Sequence, residues 1–588
     1  MNAVGAGNAL SMSARPAPAA RGRRGLFAAS PTPRVLNTAQ LINQQQALQA
    51  SLVAIMAEAG QQVPAQQRQA FAARAAAMVS DVVADSMYPV HSEMINNPAH
   101  SVRWELYQAA AARARAWVDR HRQVALSLQP MSDPAPHLQT LASGQILMLR
   151  AAPAIESLVL AGGGARGVAN APALRALENL GLLSALQRVA GSSVGGMTAI
   201  LLAAGISAKD FQRLLNGTAL LSLLTTPGDF ARNYPHVTLG LLGFDAGAVV
   251  QTLDRMVARS AAHYLDGHWR EITRMPQWAL FTPQQQQRLE LLRAPDFTVS
   301  RAGQMLTFGD LQLLRQLDPA RFKELVVTGW NQSEQRLVYF SHQNYPEMPL
   351  ALAGRISMGI PGLFADVMIE AQGRMQRWTD GGVGNNLPTE PVFAGLDGQA
   401  LQEAYARTLV MAFADAGRSH AVLHGPPAAC LPGVNPLVTL LSGNPHFPQV
   451  VHADRRKLHA AGLHAMPVAH GDLEIGSFLA GEARVARAKA DALDQALVFI
   501  AQNQHNFRHD LVDDVQTAAR LLSPAEQDAF LARADDQATP LDADLRAAIL
   551  AQRTAATSGV ATPGVATQAS EAAQRAAALA WARRDASI

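Results

Sequence analysis

The chain has 588 residues, more than one hydrophobic core ordinarily serves, so several domains are expected. Hydrophobic residues make up 49% and charged residues 16%, the balance of a folded chain rather than a disordered one. A formal charge of +3 argues against a nucleic-acid partner, and a single cysteine, Cys430, excludes an intrachain disulfide and every cysteine-built zinc site.

Residues 1–36 are rich in Ala, Pro, Ser, Gly and Arg, and no acidic residue precedes Glu58. Such a segment cannot bury enough apolar surface to order itself, so it reads as a disordered tail. It lacks a continuous apolar core followed by a small-residue cleavage site, which argues against an ordinary secretory signal. A transit peptide, a leaderless secretion signal and a plain flexible tail all suit it.

Residues 37–150 read as an N-terminal helical region with a linker. Asn37 and Thr38 cap a first helix, Pro64 opens a second and Ser101 caps a third. Pro134, Pro136 and Gly144 mark residues 131–145 as the linker.

From 151 to 417 short apolar runs alternate with helical segments. Residues 157–161, 188–190, 324–328, 337–341 and 408–413 are expected strands, and strands between helices imply an α/β sheet. The apolar stretch 189–208 contains Gly191, Ser192, Ser193, Gly195, Gly196 and Thr198 and reads as strand, turn and helix rather than a membrane span. The Leu- and Thr-rich stretch 214–226 is better taken as core than as an acyl pocket. Thr282 and Pro283 cap an exposed helix through Gln284–Gln287.

Residues 418–588 are expected to be helical, with helices near 479–503, 505–522, 524–535 and 568–585. Ser523-Pro524-Ala525-Glu526 is a capping box with Pro at the first helical position. The repeated Val-Ala-Thr at 560–562 and 565–567 marks a low-complexity linker.

The chemistry begins where the expected strand 157–161 runs into Gly162-Gly163-Gly164-Ala165-Arg166-Gly167 and then a helix from Pro172 to Leu180. Glycines at such a turn let backbone N–H groups converge on an anion. The anion is either a dinucleotide pyrophosphate, since G-x-G-x-x-G is satisfied, or the oxyanion of an acyl intermediate. A dinucleotide fold needs an acidic residue at the end of the next strand, and none stands there. That strand ends instead in Gly191-Ser192-Ser193-Val194-Gly195, the G-x-S-x-G nucleophile elbow. Ser193 is the candidate nucleophile and Ser192 an ordinary turn residue. A serine hydroxyl needs a base, and Asp380, before Gly381 and Gly382, is a carboxylate at an expected strand end.

Glycine loop, elbow and Asp-Gly-Gly in this order resemble the patatin-like phospholipases. Leu306-Thr307-Phe308-Gly309-Asp310-Leu311, the strand 325–330, Ser357-Met358-Gly359-Ile360-Pro361-Gly362-Leu363-Phe364 and Asn385-Asn386-Leu387-Pro388 share the likeness. The resemblance implies a three-layer α/β/α domain with a central mixed sheet over 151–417. It also implies a Ser193–Asp380 dyad without histidine, and an oxyanion hole from the amides of Gly162, Gly163 and Gly164 with those around Ala165, Arg166 and Gly167.

Residues 157–205 resemble most closely the ExoU-type cytotoxins, effectors injected by type III secretion. That likeness implies phospholipase A2 and lysophospholipase activity on host phospholipid membranes. It further implies a secretion chaperone at the N-terminal region, activation by host ubiquitin or ubiquitinated proteins, and a C-terminal helical bundle that binds membrane. Neither a metal nor a small cofactor nor a transmembrane helix is expected. A non-catalytic scaffold on the same fold and an acyltransferase are the competing readings.

An α/β-hydrolase triad would place its histidine after the acid, whereas His342 precedes Asp380. Arg166 suits either a phospholipid headgroup or a tie between the glycine loop and its helix. Arg484, Arg487 and Lys489, with Val485, Leu493, Leu497 and Ile500, form a basic amphipathic helix suited to an anionic interface, as does Trp581-Ala582-Arg583-Arg584.

Overall fold

The computed structural model describes residues 34–63, 65, 68–127, 135–217, 244, 246–293, 305–371, 373–414, 441–461, 464–503, 507–533 and 539–557. The terminal segments 1–33 and 558–588, Pro64, and Trp581 to Arg584 lie outside the described residues.

Asn37 caps the first helix, Thr38–Gly60, with its side chain accepting from Gln40 N and Gln40 reaching back, a reciprocal pair that satisfies two orphan amides. Ser101 does not cap the third helix. Ser101–Arg103 (β2) pairs antiparallel with Val35–Asn37 (β1), and the helix starts at Trp104. Local propensity cannot foresee a ladder closed by a distant segment. With the helix Arg68–Asn96, these elements bury Leu52, Met56, Val79, Met87 and Val118 in the same apolar cluster as the α/β domain.

The expected linker 131–145 holds a strand, a second departure. His137–Thr140 (β3) pairs with Ile146–Ala151 (β4), and β4 pairs with a strand from far along the chain, Phe507–Val512. The driving pattern is the period-two burial of β4, in which Ile146, Met148 and Arg150 point inward. Arg150 is 1% exposed and is held by Asp510 at 2.7 Å and Glu403 at 3.0 Å. A buried cation persists only when paired in this way.

The main sheet contains Ser157–Leu160 (β5), Arg188–Gly191 (β6), Glu324–Asn331 (β7), Arg336–Phe340 (β8), Val367–Ala371 (β9), Arg374–Asp380 (β10), Thr408–Phe413 (β11) and Ala465–Val468 (β12). Its order is β12-β11-β5-β6-β7-β10-β9, with β8 also on β7. The first five strands are mutually parallel, and β8, β9 and β10 run antiparallel to their neighbours, so the sheet is mixed. Both faces are covered: Leu158, Leu160, Val189, Leu409 and Met411 enter one cluster, and Val159, Ala190, Val410 and Ala412 the other. A strand buried on both faces is continuously apolar, which is why these runs were legible. The architecture is three layers, α/β/α.

The segment 418–588 is not purely helical. β12 extends the main sheet beside β11, and where a helix over 505–522 was expected, Phe507–Val512 is a strand (β13) followed by the helix Val515–Leu521. Ser523 accepts from Glu526 N and Glu526 from Ser523 N, so the capping box starts the helix Pro524–Leu531 as expected. The basic amphipathic helix, Glu482–Asn503, buries Leu493, Leu497 and Ile500 inside the molecule. Its apolar face therefore packs on the protein, not on a membrane, and burial pushes Lys489 down to about 8.

Pairing along β7 brings two strand ends together. β8 lies along one side of β7; on the other side Gly191 of β6 is opposite Val327, and Asp380 of β10 is opposite Gly329. Two strands thus share one edge of β7 and end within two residues of each other.

Candidate active site

Ser193 sits between β6 and the helix Val194–Ala203. Its backbone has φ 53° and ψ −129°. A serine held at positive φ costs on the order of 1–3 kcal/mol and persists only where the surroundings enforce it. The elbow is tight enough that a Cβ on Gly191 would lie 2.3 Å from Gly195 O, and one on Gly195 2.4 Å from Leu160 O. Ser192 is fully buried and its hydroxyl accepts from Thr328 Oγ1 at 2.8 Å, a structural bond.

Asp380 closes β10. Its Oδ2 accepts from Ser193 Oγ at 2.7 Å, and its Oδ1 accepts from Gly382 N at 2.7 Å. Gly381–Val383 is a single turn that brings the Gly382 amide back onto the carboxylate. Burial pushes the Asp380 carboxyl up to about 7, against the lowering effect of the bonds from Ser193 and Gly382. No cationic side chain among the described residues pairs with it.

The glycine loop narrows the oxyanion assignment. The Gly162 amide already donates to Asn386 O at 3.1 Å, Ala165 N to Ile475 O at 2.9 Å and Arg166 N to Gly163 O at 3.2 Å. In this structure these three amides anchor the loop, and Gly167 lies inside the short helix Gly164–Ala169. The amides of Gly163 and Gly164 have no acceptor among the described residues. Gly164 has φ +57°, a conformation that glycine adopts without steric cost.

Arg166 reaches the C-terminal part of the chain, bonding Leu473 O at 3.1 Å and Glu474 Oε2 at 2.6 Å.

Ser193 lines an apolar cavity of about 100 Å³ together with Gly164, Ala165 and Gly167. Its walls include Met197, Leu201, Phe211, Met256, Met358 and Phe478. Leu214 and Leu215 line it as well, and Leu215 also packs against the core, so the start of the stretch 214–226 serves both; residues 218–226 lie outside the described residues. Phe478 was not anticipated. It packs edge-on to Phe364 at 6.4 Å, and its one sequence signal is an apolar pair, Phe478-Leu479, between Gly476 and Gly481. No described histidine lines the cavity.

A serine hydroxyl on a carboxylate, two unengaged amides and an adjoining apolar cavity make a site for acyl transfer. Residues 158–393, which contain Ser193 and Asp380, match the family model of the patatin-like phospholipases. No curated protein matches the chain. Among solved structures it is similar to VipD from Legionella pneumophila, at 19% identity over 73% of this chain and 80% of that one, with a TM-score of 0.42. It is also similar to the type III effector protein ExoU, at 18% identity over 76% and 74%, TM-score 0.42. The heterodimeric complex ExoU–SpcU from the type III secretion system of Pseudomonas aeruginosa matches at 19% identity over 73% and 66%, TM-score 0.43.

Proposed function

From the match of residues 158–393 to the patatin-like phospholipase family model, we propose that the chain hydrolyses phospholipid acyl esters with a Ser193–Asp380 dyad. The observation that carries the reading is the 2.7 Å bond from Ser193 Oγ to a buried, uncompensated carboxylate. A carboxyl raised to about 7 is a stronger base than a solvated one and still ionised in part near neutral pH.

Ser193 Oγ attacks the ester carbonyl while Asp380 takes its proton. The carbonyl oxygen becomes an oxyanion facing the amides of Gly163 and Gly164. Collapse breaks the ester bond, Asp380 returns the proton to the departing lysolipid alcohol, and the acyl chain stays on Ser193. Asp380 then takes a proton from water, which attacks the acyl-enzyme; fatty acid leaves and Ser193 regains its proton. The apolar cavity suits the acyl chain, and water exclusion there strengthens the dyad's electrostatics.

The finer parts of the reading are A2 and lysophospholipase specificity, a role as a type III effector on host membranes, ubiquitin as activator, and a secretion chaperone at the N-terminal helices. They are supported by the sequence likeness of residues 157–205 to ExoU-type cytotoxins. Among the described residues no helix is long and apolar enough to cross a membrane.

The test is fatty-acid release from phospholipid vesicles by the full chain, with and without ubiquitin. Release that vanishes in Ser193→Ala and Asp380→Asn is expected. Full activity in either variant overturns the dyad, and no release under either condition overturns the phospholipase.

A further inference from the structure

The nucleophile and the base are carried by β6 and β10, which share an edge of β7 but form no ladder with each other. Their relative position must be held by something else. The helix Leu350–Ser357 ends beneath the site, and its exit touches both. Ser357 Oγ accepts the backbone N–H of Ser193 at 2.9 Å. Two residues on, Gly359 O accepts the Asp380 N–H at 3.0 Å and the Thr379 hydroxyl at 2.6 Å. The turn is rigid, with Met358 N bonded to Gly354 O and Gly359 N to Ile356 O, both at 3.0 Å. Met358, between the two contacts, lines the acyl cavity.

We propose that Ser357-Met358-Gly359 is a clasp that sets nucleophile and base in register, with Ser357 as a positioning residue for Ser193. The inference rests on the dyad reading above. Ser193 lies where a strand has stopped and a helix has not begun, so its amide has neither a ladder partner nor a carbonyl one turn back. Ser357 is fully buried, and its hydroxyl is the acceptor that this amide finds. A buried amide left without one would relieve itself by rotating the elbow out of its positive-φ conformation, which swings Oγ away from Asp380. Thr328, by contrast, holds the neighbouring Ser192 and leaves the nucleophile's own amide untouched.

The experiment compares wild type, Ser357→Ala and Ser357→Cys in two assays, hydrolysis of a soluble short-chain ester and the rate at which a fluorophosphonate labels Ser193. Misplacement of a nucleophile by about 1 Å costs roughly 10²-fold. Ser357→Ala is expected to lower kcat and the labelling rate together by about 10- to 100-fold, with KM within about twofold, and Ser357→Cys, which keeps the shape and a weak acceptor, to fall between. Circular dichroism confirms folding of each variant; should Ser357→Ala not fold, the Cys variant alone must show the coupled fall. Unchanged kcat and labelling in a folded variant, or a loss confined to KM, overturns the clasp. A wild-type chain that neither hydrolyses the ester nor takes the label removes the dyad reading and the clasp with it.

Discussion

Arg166 and Glu474, 308 residues apart in sequence, are joined by a 2.6 Å ion pair that ties the glycine loop to the C-terminal part of the chain. Ala165 N, bonded to Ile475 O, makes the tie double. Because Glu474 is 72% exposed, the pair itself is worth only about 0–1 kcal/mol. Arg166→Gln and Glu474→Gln are therefore each expected to lower kcat less than about tenfold, by similar amounts, since the backbone bond survives. Steady-state assays on neutral and anionic vesicles check this. A rise in KM for anionic vesicles that is confined to Arg166→Gln would instead make Arg166 a headgroup ligand.

Under the proposed dyad, Asp380 is expected to set the pH dependence. A base raised to about 7 predicts kcat/KM that climbs with pH, has its midpoint near 7 and levels off above it. Stability runs the other way. The folded state holds this proton more tightly than the unfolded state, whose carboxyl titrates near 3.8, so the contribution is present below that value and lost as pH rises through about 7. Asp380→Asn should accordingly raise Tm more at pH 8 than at pH 5, read by scanning calorimetry at both.

Replacement of Ser193 or Asp380 tests the chemistry directly. Ser193→Ala is expected to reduce kcat by at least about 10³-fold while Tm stays near the wild-type value, because residual rates in such variants come from binding and oxyanion contacts alone. Single-turnover hydrolysis of a soluble ester measures it.

Leu215 lines the cavity beside Leu214, and a larger side chain there shortens the space for an acyl chain. Each buried methylene is worth about 0.8 kcal/mol, or about fourfold in kcat/KM. Leu215→Trp should leave short-chain esters within about threefold and remove the gain with each added carbon beyond the new wall. A chain-length series of esters supplies the comparison.

Ile500 is fully buried in the helix Glu482–Asn503, whose Asp494 accepts a bond from Trp117 Nε1 at 3.1 Å. Ile500→Ala should cost about 2–5 kcal/mol in denaturant unfolding. Were this face a membrane anchor instead, the substitution would leave stability unchanged and weaken vesicle binding.

Much of the site was readable before the fold. Gly191, Ser193 and Gly195 stand close in sequence, and an elbow is a local object built from consecutive residues. The apolar runs of β5, β6 and β11 were equally local, because strands covered on both faces carry no polar alternation. The strands at 101–103, 137–140 and 507–512 were not legible, since each exists only through a partner distant in sequence.

The sequence by itself determined the tight turn that holds Ser193, the Asp-Gly-Gly segment and the α/β texture around them, all set by a few adjacent residues. Tertiary structure alone decided that Gly162 spends its amide on Asn386 while Gly163 and Gly164 keep theirs, that Phe478 walls the cavity, and that the basic helix packs inward. Hydrogen-bond partners and buried faces are assigned by whichever distant segment arrives to fill them, and no local pattern records that arrival.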